Sequence, residues 1–332
     1  KGTIAMYSKS TQRLGGIIKS QQGIALITIL MLVALATILA ATIAKRQMYT
    51  SENTAYLMRQ NQALLYAKSA ELFFAELLQD DAKNAGQVDH LQENWAKPMP
   101  PFPVEDGYVS GVLQDESGKF NLNSLLTTED QVNEKAKKYF EKLLQRVGLP
   151  AQLSEAVIDW QDADDEPSGA MGAESSYYQG LPIPYLPPNS LFHSAEELKQ
   201  VRGFEGTKYQ QIAPYVSALP KRDTTININT APALVLASFD EKLDVVAVQN
   251  LLDRRNANLE HFSNVNALWE LDGFQAVDSA IRNEFTGLLG VQSQYFKAKI
   301  EVVLGERKRQ FSSNLVRSEK SVNVSGRSLA PF

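Results

Sequence analysis

The chain has 332 residues, 44% of them hydrophobic and 21% charged, enough to bury a sizeable core and to form about two domains beyond any membrane segment. A formal net charge of −5 argues against a general nucleic-acid binder, which needs a basic face to neutralise phosphates. The lack of cysteine excludes disulfides, thiolate catalysis and cysteine-ligated zinc, and suits a reducing or an oxidising compartment equally.

Residues 24–44, IALITILMLVALATILAATIA, carry no charge, and as a helix they span roughly 30 Å of hydrocarbon. They are predicted to cross a membrane once. The preceding residues 1–23 hold Lys1, Lys9, Arg13 and Lys19 and no acid, which keeps this short end cytoplasmic and sends the rest outward. The apolar run is longer than the roughly 7–15 residues of a secretory signal, and Gln22-Gly23 meets Ile24 with no spacer. This junction resembles a type IV prepilin signal. The resemblance implies that a membrane prepilin peptidase cuts between Gly23 and Ile24 and that the apolar helix is kept.

Residues 47–83 contain neither Gly nor Pro, and Leu57, Leu64, Leu65, Leu72 and Phe73 recur seven or eight apart, as an apolar helical stripe requires. A single helix over 24–83 would be roughly 90 Å long. An anchor followed by a separate amphipathic helix is the plainer alternative. The polar, then proline-rich stretch 86–103 (ending KPMPPFP) predicts a loop. Tyr108, Val109, Val112 and Leu113, then Phe120 and Leu122 across the turn-like residues 115–118, predict a hairpin. Helical patterns follow at 130–147, 153–160, 195–201, 231–239, 245–255 and 265–271. Strand signals return at 293–304 and 310–320, a last hairpin whose Arg307, Lys308, Arg309 and Arg317 are expected on a solvated or partner-facing surface. Helical material therefore interrupts a sheet, giving an α+β chain.

Asp159, Asp162, Asp164, Asp165, Glu166 and Glu174 place six carboxylates in sixteen residues, broken by Pro167, Gly169 and Gly172. Such a loop is either solvated or gathered around a hard cation with oxygen ligands, calcium being the natural candidate; the spacing is not that of an EF-hand. A glycosidase-like carboxylate pair has no other support in the sequence. His90, His193 and His261 are isolated, without ligand spacing, and read as structural. No GxSxG, Walker or dinucleotide fingerprint occurs, so no catalytic activity is expected. Residues 194–216 and 226–239 are reminiscent of helix-hairpin-helix units, which hold DNA phosphates on Gly amides beside Lys or Arg. Glu205, inside the nearest such turn (202–206), opposes phosphate. A structural use of these helical pairs is favoured over the alternative of a membrane-anchored, DNA-uptake or pilus-related binding module.

The junction QQG-IALITIL, the segment ESGKFNLNSL (116–125), the acidic stretch IDWQDADDEPSGAMGAESSYY (158–178) and ININTAPALVLAS (226–238) together resemble the protein K family of type II secretion minor pseudopilins, over nearly the whole chain. The resemblance implies a pilin-like fold, a long N-terminal helix packed on an antiparallel sheet, with a large α-helical domain inserted between strands. It divides the chain into a leader (1–23), a transmembrane segment (24–44) within the long helix, a sheet built from 84–123 and 288–332, and an insert at 124–287. It implies calcium in the insert, with Asp159, Asp162, Asp164, Asp165 and Glu174 as ligands. It also implies a bacterial inner-membrane protein with its bulk in the periplasm, at the tip of a short filament. The expected partners are other minor pseudopilins, the prepilin peptidase and the secretion assembly platform, with no nucleic acid. Counted from Ile24, the fifth position is Thr28, where most pilins carry a Glu that neutralises a neighbour's N-terminal amine. The protein K family is similar in lacking it, as suits a subunit with nothing above it.

Overall fold

Helix α1, Gln22–Asn84, opens the computed structural model, which describes residues 22–84, 87–319 and 321–329. The predicted leader up to residue 21 lies outside the described residues. The chain forms two units, residues 1–62 and 63–332. In the first, the described residues are all helix, and side chains 23–59 are exposed. Hydroxyls within the apolar run are satisfied locally: Thr28 donates to the Ala25 carbonyl at 2.9 Å, Thr37 to Val33 at 2.6 Å and Thr42 to Ile38 at 2.8 Å. Each polar group is thereby closed on its own helix, as a hydrocarbon surrounding demands.

In the second unit, Ala63, Ala67, Ala70, Phe74 and Leu78 of α1 are buried at helical spacing against the sheet. Of the stripe expected from leucine periodicity, Leu64 packs against this core and the rest of its members in this unit do not. Leu65, Leu72 and Phe73 are turned outward, 64%, 69% and 44% exposed, because small alanines let the helix backbone approach the strands.

Strand β1, Met99–Val104, follows, where a loop was expected; its prolines are tolerated because it lies at the sheet edge and needs only one ladder. Strand β2, Gly107–Asp115, pairs with β1 but not with Phe120, so the expected hairpin across 115–118 does not form. The chain instead enters the helical insert there. Gly118 is pressed so close to Thr230 that a Cβ would lie 2.6 Å from its hydroxyl, and Phe120–Asn121 (β3) pairs in parallel with Val216–Ser217 (β4).

The insert contains α2 (Glu134–Arg146), α3 (Leu153–Asp159), α4 (Ser175–Gln179), α5 (Thr207–Ile212), β5 (Ile226–Asn227), α6 (Ala233–Ala237), α7 (Val245–Ala257), α8 (Asn266–Trp269), α9 (Ser279–Phe285) and β6 (Leu289–Gly290). The helix expected at 195–201 is a 3-10 segment, Ala195–Gln200. Helix α2 buries Ala136, Tyr139, Phe140, Leu143 and Leu144 along one face, beneath an N-cap in which Asn133 accepts from the Ala136 amide. Tyr139 stacks among Phe120, Phe239 and Phe285 and donates its hydroxyl to the Val235 carbonyl at 2.7 Å. Arg146 in the last turn of α2 donates to the carbonyls of Ala237, Asp240 and Leu243, satisfying groups left open beyond α6.

The chain returns as β7 (Tyr295–Leu304), β8 (Arg307–Arg317) and β9 (Val322–Ser328), completing an antiparallel sheet in the order β1-β2-β7-β8-β9. The sheet and α1 share one core, including Phe74, Trp95, Phe296, Ile300 and Leu315, and the insert has another.

Candidate functional site

The acidic segment leaves the C-terminal end of α3 and folds back over it. Asp159, the last residue of α3, is buried and accepts from the amides of Ser168 (3.0 Å) and Ala173 (2.7 Å). Gly172 makes this possible: a Cβ there would lie 2.5 Å from Asp159 Oδ2. One turn earlier, Glu155 accepts from the Met171 amide at 2.8 Å, and Arg202, stacked over Tyr177, donates to the Gly172 carbonyl at 2.8 Å. The first straps the loop onto the helix and the second ties it to the turn at 202–206.

This strapping brings Asp159, Asp162 and Glu174 together, with one carboxylate oxygen from each within 4.8 Å of the others and all three residues buried. Asp159 has protein donors. Both oxygens of Glu174 and one of Asp162 are buried with no hydrogen-bond partner. Burial, then repulsion from Asp159, pushes Asp162 up to about 7 and Glu174 up to about 8; burial also raises Asp159, opposed by its two amides. Buried carboxylates with open lone pairs and an environment hostile to their charge form an oxygen donor set that fits a hard divalent cation. Asp164 and Asp165 stand apart from the trio, exposed, accepting from the amides of Glu166 (2.9 Å) and Ser175 (3.2 Å).

The turn at 202–206 is closed from inside. Glu205 accepts from the Gly203 amide at 3.1 Å, and Arg202 is engaged with Gly172 and Tyr177, so the amide and cation a phosphate would need are both in use.

A second polar centre, which sequence reasoning missed, joins the insert to the sheet. Arg317 of β8 donates to Asp81 of α1 at 2.7 Å, to Asp89, and to the Ser293 carbonyl. It is only 10% exposed, so the expectation of a solvated surface is corrected: the strand alternation turns it toward α1. Ser293 donates to Asp115 at 2.5 Å, as does Thr230, while Asn227 donates to Ser293 at 2.7 Å. Burial pushes Asp81 and Asp115 each up to about 6. Asp81, Asp89 and Glu93 also cluster, but Arg317 already supplies their positive charge. Beside them His90 stacks on His261 at 4.0 Å, so these two histidines are neighbours in space although not in sequence. Arg317 lies more than 200 residues from Asp81 and Asp89, and such distant pairs leave no local pattern to read.

Sequence profiles of the family described as type II secretion system (T2SS), protein K, match residues 118–221 and 226–292. The chain is similar to type II secretion system protein K of Pseudomonas aeruginosa, 33% identical over 318 residues, covering 91% of this chain and 90% of that protein. Its likeness to the protein of the same name from Aeromonas hydrophila is 32% over 317 residues, covering 91% and 94%. Among solved structures it matches a chain of the GspK-GspI-GspJ complex from the enterotoxigenic Escherichia coli type 2 secretion system, with a TM-score of 0.75 and 26% identity, covering 84% of this chain and all of that one.

Proposed function

The chain belongs to the type II secretion system protein K family, and on that premise we propose that it is a minor pseudopilin that caps the tip of a periplasmic pseudopilus and takes part in its assembly for protein export. The observation that carries this reading is the insert between β2 and β7. It leaves and rejoins the sheet beside Asp115 and Tyr295, at the end where Arg317 holds Asp81 near the finish of α1. A filament repeats its subunits at a short rise, so an insert at that end obstructs a further copy above. Thr28 agrees, because its hydroxyl is spent on its own helix and it has no carboxylate for another subunit's amine.

In this reading Gly23–Ile24 is the peptidase cut, residues 24–44 cross the inner membrane once, and the remainder is periplasmic. Smaller minor pseudopilins sit below and contact the outward Leu65, Leu72 and Phe73 of α1, a row too apolar to be left in water. The related complex of GspK with GspI and GspJ supports partners of this kind. The protein's role is structural, with no catalysis. Calcium is held by Asp159, Asp162 and Glu174, while Asp164 and Asp165, outside the trio, add negative charge around the site. The ion supplies the positive charge these acids lack, and the chain's own part is to fix the loop against α3 through Glu155 and to the turn at 202–206 through Arg202. Electron microscopy of filaments carrying a gold-labelled copy tests the tip reading: label at one end of each filament is expected, and label along the shaft would reject it.

A further inference from the structure

Residues 181–188 read Leu-Pro-Ile-Pro-Tyr-Leu-Pro-Pro, and seven of the eight are either proline or stand directly before one. Proline fixes its own φ and drives the preceding residue to extended backbone, so this loop has little conformational freedom to lose. Its one unrestricted residue, Tyr185, is anchored. Its hydroxyl donates to the Gln200 carbonyl at 2.6 Å and its ring lies 5.2 Å from Tyr178 and 6.4 Å from Trp160. Pro187 is buried, and Asn189, in the left-handed region at φ 44°, ends the run and donates to the Asp164 carbonyl at 3.3 Å. With Tyr185 and Pro187 turned in, the other face is turned out. Pro182, Pro184 and Pro188 are exposed, Leu186 is 62% exposed, and Ile183, at 82%, is the most exposed large apolar side chain among the described residues.

We propose that residues 182–188 are a preformed docking ridge for a partner protein that presents an aromatic-lined groove edged by Lys or Arg. The chain bends at 181–183 and then runs without a turn through 184–189; proline-rich segments of this kind are bound in this way because ring edges and aliphatic side chains fill slots between aromatic rings, and a segment already fixed loses little entropy on binding. The charge around the ridge selects the occupant. Asp164, Asp165 and Glu166 are exposed beside it, tied to it through Asn189. These acids favour a basic rim and oppose both an anionic lipid surface and a second copy of the same face. The ridge belongs to the insert and the outward row to α1, so the inference concerns a second surface and goes beyond the minor-pseudopilin reading.

The test is site-specific photo-cross-linking of the full chain in secreting cells that lack their own copy, with the cross-linker at Ile183 and, as a control, at Val246, which is 66% exposed on α7. The expected result is one protein adduct at 183 and not at 246, whose cross-linked peptide carries Trp or Tyr next to Lys or Arg. With the cross-linker moved to Pro184, the double variant Ile183→Ser/Leu186→Ser is expected to reduce that adduct about tenfold, the loss typical of an anchor residue. Adducts with lipid, with a second copy of this chain or with a peptide lacking aromatic residues would overturn the proposal, as would a yield at 183 no higher than at 246. Smaller minor pseudopilins that still co-purify with the double variant separate failure of the ridge from failure of the assembly reading.

Discussion

Removing calcium is expected to destabilise the insert through repulsion among Asp159, Asp162 and Glu174. Two ionised carboxylates within 4.8 Å of each other repel by about 3.5 kcal/mol at an effective dielectric constant of about 20. Three such pairs would approach the whole stability of an ordinary domain, about 5–15 kcal/mol, so the trio must take up protons or a cation. A metal that binds only the folded state adds about 2.7 kcal/mol at a hundredfold excess over Kd, which for a region of this size moves the melting temperature by roughly 5–10 °C. The assay is a thermal melt of the full chain in detergent, in millimolar calcium and in chelator. The double variant Asp162→Asn/Glu174→Gln supplies the discriminating arm: it removes two of the three charges, so it melts higher than the native chain in chelator while losing its response to calcium. Identical native curves in calcium and chelator would refute the reasoning. So would a double variant that still shifts with calcium.

Arg317→Met strands Asp81 and Asp89 without their cation and should cost about 3–5 kcal/mol in chemical denaturation, far more than Arg309→Met on the same strand. Asp115 has a folded-state pKa near 6 against an ordinary 3.8, so the folded chain takes up that proton before the unfolded chain does; acidifying from about pH 7 to about 5 should raise the native melting temperature relative to Asp115→Asn. Burial lowers the pKa of His90 and His261, so they oppose this trend, but they do so in both proteins and cancel in the comparison. Phe74→Ala empties a fully buried site and should cost about 3–5 kcal/mol, whereas Leu72→Ser/Phe73→Ser should leave the melt nearly unchanged and weaken capture of smaller minor pseudopilins.

Much of the fold was legible because its signals are local. The apolar run, the periodic α2 and the alternating β7 each announce themselves within a dozen residues. The strand β1 was not, since Pro100, Pro101 and Pro103 mark a loop everywhere except at a sheet edge. The hairpin expected across 115–118 failed for a related reason. Asp115 and Ser117 have turn chemistry, but their partners are Thr230, Ser293 and Asn227 in the distant insert. On α1, counting leucines caught only Leu64 of the sheet-facing side, because most of that side is written in alanine. The acid trio could be suspected from composition. That Glu174 joins Asp159 and Asp162 while Asp164 and Asp165 stay outside follows from the path of the loop over α3, which Gly172, Glu155 and Arg202 determine together.

Light scattering of the purified full chain in detergent, alone and with the smaller minor pseudopilins of its system, tests the central claim most directly. The account predicts that the chain does not polymerise alone and forms a defined heteromeric complex at micromolar concentrations. A homopolymer of growing mass, or no association with those subunits, would contradict it.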